Sequence, residues 1–568
     1  MNTKEIFAKA LAHATGKDID IVRKSISLTK DIEHGILSSN IAFVLSKELK
    51  KSPQAIAEEL SSFITLEGIE GKLTAINGYI NLSISDEQLF SIDEIPKKDM
   101  SAIVEGPSVN PNKPWHLGHL RNALLCMSIG NILREAGYSV IAMDYVNDLG
   151  LQVAQSYWHY KKSFKDSGEK FDHAIGKDYV KAAELFNDKE VEEEVRKLMK
   201  DIEAGNDKGL RDFVELVYKA QRETAYSYGI THTYAVFESD VVEGILKKGL
   251  EKLSTMEGIY KADRGDYKGC YVVNVEDVIS GLERPERVLI RSDGIPTYLG
   301  KDIVFHMWKI GKLCCLGFHN FEMQPNNKPL LATPGELPYN VAEKPLVINI
   351  IGAEQNLPQQ VVKSILIKLS LVEPSQYRHV SYGRVRKEGG TFSGRKGTWM
   401  GFTADELLKE GMARVEKGDK EKIALAAIKF SFLRASTRKE IVFDWDKALS
   451  LEGASGVYLL YSLVRAKRIL SKVSTEPLPS SNLNKEEKEL MAHIWRYPYY
   501  VENAATSLEP NTITEYLLKL STLFNKFYEK HRVIGEEEEA KRVAIVSSFI
   551  KAMEKGLSLL GIEPVEEM

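Results

Sequence analysis

Apolar positions divide the chain into three stretches of different period. Up to about residue 95, helical spacing comes first and alternation follows. MNTKEIFAKALAHATG reads as an amphipathic helix, and Ser52 before Pro53 marks a helix start, with a hydroxyl to cap free amides and a proline where no donor is needed. Ile76, Ile80, Leu82 and Ile84 fall on every second residue, as on one half-buried strand, and the polar segment DEIPKKDMS then reads as a linker. From about 101 to 415 strands alternate with helices. Ala102 to Val104 forms a short strand, Leu117, Leu120, Leu124 and Met127 share a helical face ending near Gly137, and VIAMDYV supplies the next strand. Such a βαβ unit builds a parallel sheet whose ligands bind at the carboxyl ends of the strands. Further strands are expected at Tyr271 to Val275, Val288 to Ile290 and Val347 to Ile351, while 314 to 345, rich in proline and asparagine, matches no assigned element. Beyond about 420 the period is helical, as in Val457, Leu460, Tyr461 and Val464 or Ile513, Leu517, Leu520, Phe524 and Phe527. STEPLPSSNLNKEE is a loop, and the acidic run near Glu537 reads as a solvated helix face.

The expected fold is therefore α/β: a small N-terminal α/β domain (1–95), a Rossmann-like parallel-sheet domain (96–417) and an all-helical C-terminal domain (418–568). A net charge of -4 argues against bulk electrostatic attachment to nucleic acid, so any such contact must be local. Cys126, Cys270, Cys314 and Cys315 form no CxxC pair, and the adjacent two read as structural cysteines rather than a metal or redox site. With no signal-like or membrane-spanning apolar run, the reading is a cytoplasmic protein without a membrane partner.

Two segments carry chemistry. In EGPSVNPNKPWHLGHLRNA, between the first strand and its helix, His116 and His119 open a helix whose free N–H groups and positive dipole end favour phosphate, and Gly118 lets a nucleotide approach the backbone. In GRVRKEGGTFSGRKGT, Arg384 to Lys396 holds five basic residues and one acid among three glycines, a loop suited to neutralising a triphosphate and releasing pyrophosphate. An HxGH alone is also compatible with two capping histidines or with a generic nucleotidyltransferase.

HLGH at 116–119 resembles the HIGH signature of class I aminoacyl-tRNA synthetases, and FSGRKGT at 392–398 resembles the divergent second signature of the arginine-specific family. NGYINLSIS is similar to that family's N-terminal tRNA-binding domain, VNDLGLQ and SDGIPTYLGKD to catalytic-domain segments, and KFSFLRASTRKEIVFDWDKAL and GLSLLGIEPVEEM to its helical anticodon-binding domain. Thr391 and Gly394 stand where the usual second signature has lysines, and Lys113 matches a position where members lacking the second lysine carry one. The frequent QDLH pattern is Gln355, Asn356, Leu357 and Pro358 here, without its histidine.

The resemblance implies ATP-dependent activation of L-arginine and transfer to arginine tRNA by a monomer, with Mg2+ accompanying the ATP, no protein-bound metal and no DNA partner. It implies catalytic roles for His116, His119, Lys113, Arg395 and Lys396, and ATP contacts for His116, Gly118, His119, Phe392, Ser393 and Gly394. Arginine contacts are implied at Glu105, Asn110, Tyr298, Asp302 and Gln355, and D-arm contacts at Tyr79 and Asn81. Chemically, a guanidinium fork wants carboxylates and neutral acceptors without a competing cation. A cysteine-specific relative would carry zinc ligands, and a silent relative would not need the histidines, the loop and the acids together. No large editing insertion is expected, because hydrogen bonds and charge suffice to select arginine.

Overall fold

The computed structural model describes residues 2–203, 206–207, 209–279, 284–387 and 400–568. The first part is a four-stranded antiparallel sheet backed by helices, among them Pro53–Phe63, whose first turn is capped by Ser52 Oγ accepting from Ala55 N–H at 3.2 Å. The alternation from Ile76 to Ile84 is two strands. Asn77 and Gly78 have φ of 54° and 85° and turn the chain back, so that Ile76 of Gly71–Ile76 lies opposite Tyr79 of Tyr79–Ile84. Positive φ at both central residues is the condition for the tight hairpin turn that asparagine and glycine satisfy.

Seven strands form the central sheet: β1 (Ser101–Glu105), β2 (Ser139–Val146), β3 (Tyr234–Phe237), β4 (Phe318–Met323), β5 (Pro329–Leu337), β6 (Leu346–Gly352) and β7 (Tyr377–Tyr382). Their order is β4-β5-β3-β2-β1-β6-β7, parallel throughout except for the antiparallel edge strand β4. The unassigned 314–345 region thus supplies the β4–β5 hairpin at this edge. The strands expected at 271–275 and 288–290 exist, as Tyr271–Asn274 and Glu286–Ile290, but belong to a separate three-stranded antiparallel sheet. Alternation predicts a strand, whereas its partners are set by tertiary packing.

Helix α1 (Leu117–Glu135) crosses from β1 to β2 and is buried on nearly every side. The helices Lys420–Leu433, Tyr497–Ser507 and Glu539–Leu559 of the C-terminal part pack along it, so one apolar core runs through both. Such all-round burial explains why α1 is rich in Leu, with Ile and small residues on its other faces, and not amphipathic. Polar ties lock the junction: Ser128 Oγ donates to Leu559 O at 2.9 Å, and Arg121 donates to Gly383 O at 2.6 Å and Thr437 O at 3.0 Å, with longer bonds to Arg384 O and Ser436 O.

The C-terminal part is helical except for Ile441–Phe443, which pairs in parallel with Val385–Lys387. The acidic run is not a helix face as expected: Glu536 and Glu537 lie in the turn before the last helix, and Glu538 bridges Lys541 and Arg542. The N-terminal part meets the C-terminal helices through Lys488–Asp86 at 2.7 Å, Arg496 to Thr29 Oγ1 at 2.8 Å and Tyr499 to Asp93 at 3.2 Å. Among the described residues no helix is long and apolar enough to cross a membrane.

Arg121→Met should strand carbonyls on both sides of this junction at a cost of about 2–4 kcal/mol. The expected result is a lower thermal unfolding midpoint and faster protease cleavage around 415–440; an unchanged midpoint and cleavage pattern would show that the apolar core holds the junction alone.

Candidate active site

A cavity of about 1000 Å³ opens at the carboxyl ends of β1 and β6, adjacent parallel strands whose connections leave in opposite directions across the sheet. This is where open parallel sheets bind ligands. The loop after β1 forms one wall and is held from behind. Gly106 has φ 153°, and a Cβ there would collide with Cys126 Sγ and Asn122 Oδ1. His232 Nε2 lies 2.9 Å from Gly106 O, with its Nδ1 2.7 Å from Arg222 Nη1, so the arginine donates to Nδ1 and Nε2–H donates to the carbonyl. Farther along, Gln221 Nε2 donates to Asn110 O at 3.1 Å and Lys113 O at 2.8 Å, and Asn147 Nδ2 donates to Ser108 O at 3.0 Å.

His116 is the N-cap of α1. Its Nδ1 accepts from Gly118 N–H at 3.1 Å and His119 N–H at 3.3 Å, while His119 Nδ1 accepts from His116 N–H at 3.4 Å. The rings stack with centroids 3.5 Å apart, and a Cβ at Gly118 would stand 3.0 Å from His116 Cε1. Glycine is therefore needed for the ring as well as for ligand access. The helix amides expected to face phosphate are partly used by the histidine itself. Burial, reinforced by Lys113, lowers His116 to about 3; burial and then His116 and Lys113 hold His119 well below its ordinary value. A neutral imidazole that accepts at Nδ1 carries its proton on Nε2, so the histidines act as neutral donors. Lys113 is buried behind them, donates to Asn112 Oδ1 at 3.1 Å, and is brought down by burial to about 8, which leaves it mostly charged at neutral pH.

The other end of the cavity is acidic. Helix α2 (Tyr298–Lys309), capped by Thr297, carries Asp302, His306 and Lys309 at helical spacing. Asp302 faces the cavity. Its backbone carbonyl accepts from His306 Nδ1–H at 2.8 Å, while its carboxylate makes no hydrogen bond or ion pair with a described residue; burial by the surrounding walls, and then Glu105, raises that carboxyl to about 6. Glu105, at the end of β1, is paired with the fully buried Lys309 Nζ. The expectation of a pocket without a competing cation is thus corrected: one acid is already neutralised within the protein. Lys309 also reaches Asn349 Oδ1 at 3.4 Å, and Asn349 Nδ2 donates to His306 Nε2 at 3.1 Å and Tyr377 Oη at 2.9 Å. Asn110 and Gln355 line the same cavity, whereas Tyr298, 85% exposed, is not in its wall.

Phe392, Ser393, Gly394, Arg395 and Lys396 lie outside the described residues. The segments bounding them are fixed beside the histidines. Arg384 and Arg386 line the cavity, Leu117 N–H donates to Phe402 O at 3.1 Å, and Ala404 N–H donates to Trp115 O at 2.8 Å. Next to this, Asp172, His173 and Asp405 bring ligand atoms within 4.8 Å of one another, but Lys170 Nζ sits 3.0 Å from Asp405 and 3.5 Å from Asp172 and supplies the positive charge a metal would bring. Of the two residues assigned to the D-arm, Tyr79 is exposed and packs beside Phe43 at 5.0 Å, while Asn81 is 4% exposed.

The sequence reading missed Lys309, Arg121, Gln221 and Asn349. Lys309 had a signal, since it follows Asp302 by two helical turns; the others act through partners distant in sequence.

Comparison with known proteins gives a consistent pattern. The arginyl-tRNA synthetase N-terminal domain model matches residues 1–84, the class I (R) tRNA synthetase catalytic domain model 82–312, and the DALR anticodon-binding domain model 459–568. The chain is 34% identical to the arginine–tRNA ligase of Pyrococcus furiosus, over 100% of this chain and 98% of that one, and 33% identical to that of Thermus thermophilus, over 93% of each. The solved arginyl-tRNA synthetase of Thermus thermophilus superposes with a TM-score of 0.88 at 31% identity, covering 100% of this chain and 99% of that one. That of Plasmodium falciparum, 18% identical, shares the fold with a TM-score of 0.74 over 100% of this chain and 98% of that one.

Because the cap fixes the tautomer, nitrogen-15 spectra of histidine-labelled protein should show His116 and His119 as Nε2–H imidazoles that do not titrate between pH 5.5 and 8. Protonation of either ring in that range would overturn the neutral-donor geometry.

Proposed function

The chain belongs to the arginyl-tRNA synthetase family, and we propose that it joins L-arginine to arginine tRNA at the expense of ATP through the cavity at the ends of β1 and β6. The observation that carries this reading is one cavity with opposite charge at its two ends: Lys113, Arg384 and Arg386, the last also paired with Glu440 at 3.2 Å, beside the stacked histidines, and the unpaired Asp302 carboxylate opposite. ATP, carrying magnesium, takes the cationic end, and arginine the acidic one.

Asp302 receives the guanidinium. A planar fork of donors matches a free carboxylate, and Asp302 is ready to form the pair that Glu105 has already made with Lys309. Asn110 and Gln355 offer neutral polar groups to the rest of the amino acid, and Tyr298, one turn before Asp302 and exposed outside the wall, would have to turn inward to touch it. The arginine carboxylate attacks the α-phosphorus, a P–O bond to pyrophosphate breaks, and charge on the departing oxygens is met by the Nε2–H groups of His116 and His119, by Lys113, and by Arg395 and Lys396 of the second signature, with Phe392, Ser393 and Gly394 against the nucleotide. A hydroxyl of the terminal adenosine of the tRNA then attacks the arginyl carbonyl carbon, and AMP leaves with the electron pair of the anhydride bond. No protein nucleophile is required.

The domains 1–95 and 418–568 flank the catalytic domain 96–417 and hold the tRNA, with the Tyr79 ring offered to an unpaired base of the D-arm. Asn81 lies beneath this surface and supports it. The chain works as a cytoplasmic monomer.

Two measurements test these roles. Asp302 must be ionised to bind a cation, so kcat/KM for arginine should fall as pH drops through about 6. Asp302→Asn should lower it about 100- to 1000-fold at neutral pH and abolish that limb, with KM for ATP little changed. Glu105→Gln should instead lower the thermal unfolding midpoint, because it leaves Lys309 buried without its partner. Near-normal arginine kinetics in Asp302→Asn would remove it from the pocket.

Lys113→Ala should slow tRNA-dependent pyrophosphate exchange by one to a few orders of magnitude without weakening arginine binding. Normal turnover would assign the phosphate charge to Arg395, Lys396 or magnesium.

A further inference from the structure

The loop joining α2 to the edge strand β4 carries Cys314 and Cys315, and neither lines the cavity. As structural cysteines they were expected to be buried; both are exposed, unlike Cys126. Their Sγ atoms lie 2.7 Å apart, inside van der Waals contact though longer than the ~2.05 Å of a disulfide bond. The approach is produced by the backbone: Cys315 has φ 82°, a left-handed conformation that a residue with a Cβ rarely adopts. The loop is anchored on both sides, by Lys252 Nζ donating to Lys312 O at 2.8 Å and by buried Leu316 and Phe318, so the two thiols are held facing each other. Exposed thiols contribute nothing to a core, so packing does not account for holding the two sulfurs together in this backbone conformation.

We propose that Cys314 and Cys315 form a reversible two-electron redox site whose oxidant is a hydroperoxide. One thiolate attacks the peroxide, the O–O bond breaks, and a sulfenic acid forms with release of water or the alcohol. The neighbouring thiol then attacks that sulfur and expels water, leaving a disulfide that spans a single peptide bond; two thiols lose two protons and two electrons, and the peroxide gains them. Cα atoms across one trans peptide are 3.8 Å apart, below the usual span of a disulfide, so the ring is strained and dithiols reopen it easily. In the closed state the segment leading away from the helix of Asp302 is stiffened.

The test treats the full-length chain with equimolar hydrogen peroxide, then counts thiols after denaturation and weighs the peptide bearing both cysteines. The expected result is a fall from four thiols to two, loss of two hydrogen masses confined to that peptide, and full reversal by dithiothreitol. Cys314→Ser and Cys315→Ser should each abolish the disulfide and leave a dimedone-trappable sulfenic acid on the remaining cysteine. Retention of four thiols, accumulation of sulfinic acid at either cysteine in the wild-type chain, or disulfide-linked dimers on a non-reducing gel would each overturn the proposal.

Discussion

The helix that begins at His116 has to satisfy two demands at once, and much of the molecule is arranged around them. Its body is buried between the parallel sheet and the C-terminal helices, while its first turn must stay open to the cavity. An open helix start leaves amide donors without partners. Here His116 and His119 meet the need with their own Nδ1 atoms, and the cap turns each proton-bearing Nε2 into the donating nitrogen. Capping and chemistry are therefore one interaction. A serine or aspartate could cap as well, but neither would carry a neutral donor beyond the cap.

The cavity depends on charges being kept apart. Glu105 and Asp302 both face a space walled by protein, and two free carboxylates there would push each other towards protonation. Pairing Glu105 with buried Lys309 offsets part of that conflict and leaves Asp302, still raised by burial and by Glu105, as the acid whose carboxylate is open to a cation. Lys309 is held in turn by Asn349, which is fixed by His306 and Tyr377. At the far end Lys113 and the two arginines of the strand entering the second signature carry the opposite sign. On the proposed reading, a cationic amino acid and a polyanionic nucleotide are thereby sorted by position before any specific contact is made.

Much of this was legible in the chain. Periodicity located β1, α1 and β2, and the strand-to-helix setting of HLGH marked the functional loop. What escaped was whatever depends on a partner distant in sequence. The alternation through Ile76 to Ile84 hid a hairpin, although Asn77-Gly78 announced it. Tyr271 and Val288 were seen as strand residues but not as members of a second sheet. Arg121 carries no signal of its own in the sequence, and its value lies in reaching carbonyls more than 260 positions away. Glu105 and Asp302, named from the resemblance, do line one cavity, yet the lysine that pairs with Glu105 required the fold.

The same long-range contacts explain how a helical domain can bear on chemistry at the sheet. Val385–Lys387, entering the second signature, pairs with Ile441–Phe443 of the C-terminal part, and the segment leaving it bonds through Phe402 and Ala404 to the residues around His116. Arg121 joins these sides, since its guanidinium holds carbonyls before the signature, at Gly383, and within the C-terminal part, at Thr437. A rotation of the C-terminal helices would have to move the strand at 385–387 or break buried hydrogen bonds whose acceptors have no water to turn to. Moving the strand would carry Arg384 and Arg386, which line the cavity. The helical domain is thus mechanically connected to the cationic residues of the cavity.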